Sequence, residues 1–170
     1  MSDQLSDLRE DLQAHIIATA NLPEFITGNV ILGDAQEAPE DFDKRRASAI
    51  GKIRHKLGLV LYESVLSNEG ENGDLDLVSQ HLIEFYRSPQ RNARQARSVR
   101  ASEPIILDLI RTLHGWRSDN NDTDGHCDFD FRFLSAVPIA DPHYEAWLLT
   151  FNCHIDLSAV DYYQTKAPTA

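Results

Sequence analysis

Five arginines, Arg87, Arg91, Arg94, Arg97 and Arg100, recur at steps of three and four residues. On a helix that spacing lines one face with guanidinium groups, whose chemistry is pairing with carboxylates or phosphates. Pro89 and Ser98 break any long helix here. The segment therefore reads either as a solvated connector or as a strip that orders against an acidic neighbour.

Two other clusters invite a metal, and neither has a complete ligand set. Asn120-Asn121-Asp122-Thr123-Asp124-Gly125 follows the first half of a calcium loop, but Phe131 stands where the closing bidentate Glu belongs, and the first ligand would be Asn. A solvated turn is the better explanation. Asp128 and Asp130 share one strand face with no basic or metal partner, and read as the solvent side of a sheet. The pairs His126-Cys127 and Cys153-His154 would need all four groups to converge for zinc. Adjacent strand residues point to opposite faces, so each Cys turns away from its own His. A cross-strand disulfide is geometrically possible, although a cytoplasmic setting favours two reduced, buried thiols. No Gly-x-Ser-x-Gly elbow, phosphate-binding Gly-rich loop or His-Glu-x-x-His motif occurs. The expectation is no catalytic residue, no metal and no cofactor, and hence no enzyme.

The elements that would hold these residues follow from apolar periodicity. Leu5, Leu8, Leu12 and Ile16 predict an amphipathic helix over 3–20, capped by Ser2 or Asp3 and stopped by Asn21 and Pro23. Val30-Ile31-Leu32 predicts a short strand, and residues 34–50 a loop or insert. Leu57, Leu59 and Leu61, with Val65-Leu66 after them, predict a mostly buried strand. A Gly- and Asn-rich turn with a mobile tip at 67–75 returns the chain into a strand over 76–86, with Leu77, Ile83 and Phe85 on one face. After the Arg-rich connector 87–101, Ser102 is placed to cap a helix and Pro104 lies in its first turn. Ile106, Leu109, Ile110 and Leu113 form its stripe, Gly115 closes it, and Trp116 plugs its end.

Two alternating strands finish the pattern. Cys127, Phe129, Phe131 and Phe133 share a face of one; Trp147, Leu149, Phe151, Cys153, Ile155 and Leu157 share a face of the other. The loop between them is 135–145, marked by Pro138 and Pro142. A hairpin centred on position 140 would set Cys127 opposite Cys153, Phe129 opposite Phe151, and Phe133 opposite Trp147. Residues 158–170 read as a tail. The sum is an α+β fold in one two-layer domain over 1–157. Its mostly antiparallel sheet of four to five strands carries two helices on one face, in the order α-β-β-β-α-β-β.

Length and charge bound what such a domain can do. The 170 residues suit one domain with a real core. Net charge is −11; residues 87–117 hold seven Arg against Glu103 and Asp108, a local +5 that leaves −16 for the rest. So acidic a body disfavours free-standing DNA binding. The polar opening Met1-Ser2-Asp3-Gln4 and the lack of a long apolar run lead us to expect no secretory signal, no membrane span and synthesis in the cytoplasm.

The helix at 105–113, its ending Leu113-His114-Gly115-Trp116-Arg117 and the strand Ala146-Trp147-Leu148-Leu149-Thr150-Phe151 resemble the tail-terminator (tail-completion) proteins of long-tailed bacteriophages, especially the Mu-type branch. The likeness of sequence is confined to about 105–157; the earlier elements match in order only, and the 34–50 insert departs from the pattern. The resemblance implies a homo-oligomeric ring, commonly hexameric, that caps the tail tube and faces the head-side connector. Its partners would be copies of itself, the tube protein and connector proteins. It would assemble in the host cytoplasm and end in the virion tail, with DNA only as passing cargo. A ring needs complementary edges, so the five arginines are expected to meet an acidic surface on a neighbour, or else to line the DNA lumen. Two alternatives are another neck or head–tail joining protein of similar fold and, more remotely, a metal-dependent hydrolase built on Asp122, Asp124, Asp128 and Asp130.

Overall fold

The computed structural model describes residues 2–33, 51, 57–62, 64–73, 76–88, 100–117 and 130–155. The insert at 34–50, the tail at 158–170, Arg91, Arg94, Arg97, Asp122, Asp124, His126, Cys127, Asp128 and Phe129 lie outside them.

Helix α1 (Ser2–Ala18) buries Leu8, Leu12 and Ile16, which stand four residues apart and so fall on one face. Its sides are pinned to the first strand, β1 (Val30–Leu32). The Arg9 guanidinium donates to the Gly33 carbonyl at 2.7 Å, and the Gln13 amide to that of Val30 at 2.7 Å. The following strands are β2 (Leu57–Leu61), β3 (Val65–Asn68) and β4 (Leu77–Arg87). Helix α2 (Ser102–Leu113) and strands β5 (Arg132–Ile139) and β6 (Glu145–Ile155) complete the order.

The sheet runs β1-β2-β4-β6-β5, with β3 pairing β4 beside β2. Among the described strands only β1 and β2 are parallel; the other pairings are antiparallel. The expected α+β order is thus observed, with the second strand broken into β2 and β3, which both pair with β4 and raise the strand number to six. α1 and α2 both cover one face. There Leu57, Leu59, Leu61, Ile83, Phe85, Leu149, Phe151 and Cys153 pack against Leu8, Leu12, Ile16, Ile105, Ile106, Leu109 and Leu113. The opposite face has a smaller buried cluster of Val60, Tyr86 and Ala146, flanked by Tyr62, Ile139 and Tyr144. Beside it the fully buried Glu84 carboxylate accepts a hydrogen bond from the Tyr62 hydroxyl at 2.7 Å.

Three local expectations need correction. The N-cap of α2 is Ala101; Ser102 is already helical, makes no capping hydrogen bond, and its buried hydroxyl has no partner. Residues 132–139 are strand, so much of the expected loop at 135–145 belongs to the sheet. Pro138 is accommodated because β5 is an edge strand, where a missing N–H need not break a ladder. The hairpin is also centred between 142 and 143 rather than on 140. Phe133 therefore faces Phe151, and Trp147 faces Pro138. The cause is the Asp141 carboxylate, which accepts the His143 and Tyr144 N–H groups at 2.7 and 2.9 Å and builds the turn there. A bulge between Phe133 and Ser135 absorbs one extra residue, so that Phe133 and Ala136 both reach the helix-covered core.

Candidate assembly surface

Of the five arginines singled out by spacing, Arg87 and Arg100 are described, and the structure brings these two together. Arg87 ends β4 on the helix-covered side, and its guanidinium donates to the Arg100 carbonyl at 2.9 Å. Arg100 in turn holds three partners. Its Nε and Nη2 grip both oxygens of Glu24 at 2.6 and 3.0 Å, Nη2 also donates to the Asn21 carbonyl at 2.9 Å, and Nη1 donates to Asp108. Glu24 is 8 % exposed. Such a forked, charge-assisted pair is the strong form of an ion pair.

The sequence prepares this grip locally. Asn29 is buried; its side-chain oxygen accepts the Ile26 N–H and its amide donates to the Glu24 carbonyl, both at 2.7 Å. Gly28, at φ 105°, supplies the left-handed turn that this knot requires. Leu22 and Phe25, fully buried on either side, anchor the loop to the core. Glu24 is thus presented rigidly to Arg100. Hydrogen bonding to Glu24, then to Asp108, raises the Arg100 pKa above its usual value, and Arg100 holds the Asp108 carboxyl below the usual range. Arg100 is therefore a clasp joining the α1–β1 loop to α2. An open groove of about 580 Å³ beside it is lined by Asn21, Pro23, Arg100, Asp108, Arg111 and Thr112.

The described thiol is buried. Cys153 is a free thiol within the core, pushed up to about 12 by burial and then by the Asp130 charge, so it is no nucleophile near neutrality. His154, next along the strand, projects to the exposed side, 3.3 Å from Asp76, as alternation demands. Asp130 lies 3.9 Å from Arg132. No group of three metal-ligating side chains forms among the described residues.

One buried polar pair belongs to no motif in the sequence. Ser79 and His81 stand on the helix-covered face of β4 with Ser79 Oγ and His81 Nε2 2.9 Å apart, exposed by 0 % and 3 %. The i, i+2 spacing on a strand was the available signal. Burial lowers the imidazole to about 4, so it is neutral at pH 7, and Phe131 packs on it at 4.8 Å between ring centres. At that burial the pair is shut off from solvent.

The end of α2 is closed as its sequence suggested. Gly115 takes φ 77° and donates to the Phe131 carbonyl at 2.7 Å, while Trp116 stacks on His15 at 4.9 Å and lies 5.3 Å from Phe131. The same ring contacts join α1, α2 and the entry to β5.

Exposed apolar side chains concentrate at the sheet's borders. Val65 and Leu66 lie on β3, and Leu134 and Val137 on β5. No helix among the described residues is long and apolar enough to cross a membrane.

A chain of the virion of the native gene transfer agent (GTA) particle has a similar structure. It superposes with a TM-score of 0.52 at 12 % identity, covering 87 % of this chain and 93 % of that one. The likeness is one of fold. No family model matches the sequence, and neither does any curated protein.

Proposed function

We propose that the chain is a structural protein of a phage-type virion, a ring subunit that terminates the tail tube and joins it to the head-side connector. The observation that carries this reading is the fold shared with a chain of a GTA virion over nearly the whole of both molecules. The described site chemistry agrees with it. The Cys153 thiol and the His81 imidazole are buried, while Val65, Leu66, Leu134 and Val137 expose apolar surface at the sheet's borders, where contacts between subunits form.

In this reading the arginine segment is the basic border that meets an acidic neighbour. Arg100 and Arg87 have their guanidinium groups turned onto the chain's own Glu24, Asp108 and backbone. The contact to a neighbour therefore falls to Arg91, Arg94 and Arg97. Reversing those three charges should abolish ring or virion assembly while the monomer keeps its circular dichroism and melting temperature. Normal particles from the triple variant would refute the proposal. A label on the polypeptide, located in particles by electron microscopy, separates a tail terminus from another position in the neck.

A further inference from the structure

The two ends of β4 lie in stretches of opposite charge. From residue 57 to 86 the chain holds six acidic side chains and no Lys or Arg; from 85 to 102 it holds five Arg and no acid. β4 spans 11 residues between them, which sets its ends about 33 Å apart at roughly 3.3 Å per residue. That is several times the screening length of about 8 Å at physiological salt, so Asp76 and Arg87 exert little pull on each other.

At the acidic end, β3 pairs with β4 on one side, and no described strand pairs with the other. All four of its residues are exposed. Val65, opposite Gln80, and Leu66, opposite Ser79, leave by opposite faces and are 58 % and 41 % exposed. Glu69, Glu71 and Asp76 stand exposed beside them. Asn68 organises this tip, its side-chain oxygen accepting the Gly70 and Asp76 N–H groups, each at 3.0 Å.

The far border of the sheet is built otherwise. β5 carries a bulge, Pro138 and Arg132, the devices that stop an edge from recruiting another strand. β3 has no proline, no bulge and no basic residue. An unguarded apolar edge flanked by carboxylates calls for a basic occupant, and two such tips would repel each other. The chain's own opposite end supplies that basic charge.

We infer that the β3 edge and its acidic tip, Val65, Leu66, Glu69, Glu71 and Asp76, form the docking surface for the arginine-bearing end of a second copy of this chain. Copies then join head to tail, the heterologous contact from which rings are made. The inference rests on the assembly reading above and names the acidic surface which that reading requires.

Complementary variants of the full chain test it by sedimentation velocity at low and high salt. Glu69→Lys, Glu71→Lys and Asp74→Lys together turn residues 69–76 from −4 to +2, and Arg91→Glu with Arg94→Glu and Arg97→Glu makes the other end acidic. Each alone should self-associate at least about tenfold more weakly than wild type, and an equimolar mixture should recover association, because each then offers the charge the other lacks. Leu66→Lys should weaken association without altering the circular dichroism spectrum. Wild-type association by the tip variant, with loss in the arginine variant, overturns the β3 docking surface and spares the arginine reading. Failure of the mixture to associate also overturns the pairing. Unchanged association of both variants, or a wild type monomeric at every concentration, overturns both.

Discussion

The two ends of β4 use charge in opposite ways. At the Arg87 end, Arg100 closes on Glu24 and Asp108, and a guanidinium ties the α1–β1 loop to α2. At the Leu77 end, Glu69, Glu71 and Asp76 flank a strand whose outer side pairs with no described strand. One end spends its charge inside the molecule; the other keeps it at the border. A sequence shows the sign of a charged segment but not which way its side chains face, and here that direction separates structure from interface.

The sharpest way to break the contrast is to remove the core both ends share. Phe85→Ala, at a fully buried site in β4, should cost about 3–5 kcal/mol in urea unfolding and destroy both ends together. A loss under about 1 kcal/mol would mean that the helices do not pack there. Almost as large is the acid response of His81, whose pKa falls from 6.5 to about 4 through burial. Because the unfolded chain binds the proton more readily, this residue's contribution is complete above pH 6.5 and is lost as pH falls toward 4. The loss reaches about 3 kcal/mol, and His81→Phe should flatten that limb of a stability–pH profile.

Next comes the clasp. Glu24→Gln should lower stability by about 1–2 kcal/mol, discounted because Arg100 is partly exposed, and should leave self-association at the tip unchanged. The Asp108 carboxyl, held low by Arg100, contributes above the ordinary carboxylate range and loses that contribution as pH falls through its depressed value. Asp108→Asn should accordingly reduce the acid sensitivity measured below about pH 4. Smallest is the tip itself. Glu69→Lys with Glu71→Lys should change monomer stability by less than about 0.5 kcal/mol, measured in dilute solution, since both residues are exposed. A large loss there would turn the tip from a border into part of the fold and erase the contrast.

Much of the architecture was legible because its signal is local. Leu8, Leu12 and Ile16 mark the buried face of α1, and Leu149, Phe151 and Cys153 that of β6, at spacings set by helix and strand geometry. The β5–β6 hairpin turns later than expected because Pro138, a loop-former by type, is held in β5, and Asp141, two residues before His143, builds the turn. Residue type does not mark Ser79 and His81 as buried, because polar residues on a strand ordinarily face water. The Phe131 ring packs on His81, a contact remote in sequence.

Composition and periodicity by themselves determined an acidic α+β domain, the order of its elements, the faces they bury, and the presence of one arginine-rich stretch. Those properties depend on neighbours within a few residues, where backbone geometry alone relates position to direction. Only the tertiary structure decided that Arg100 grips Glu24, 76 positions away, that β3 pairs with β4 alone among the described strands, and that Phe133 meets Phe151. The reason is physical: pairing across the chain depends on which segments the shared core draws together, and neither a residue's type nor its spacing carries that distance.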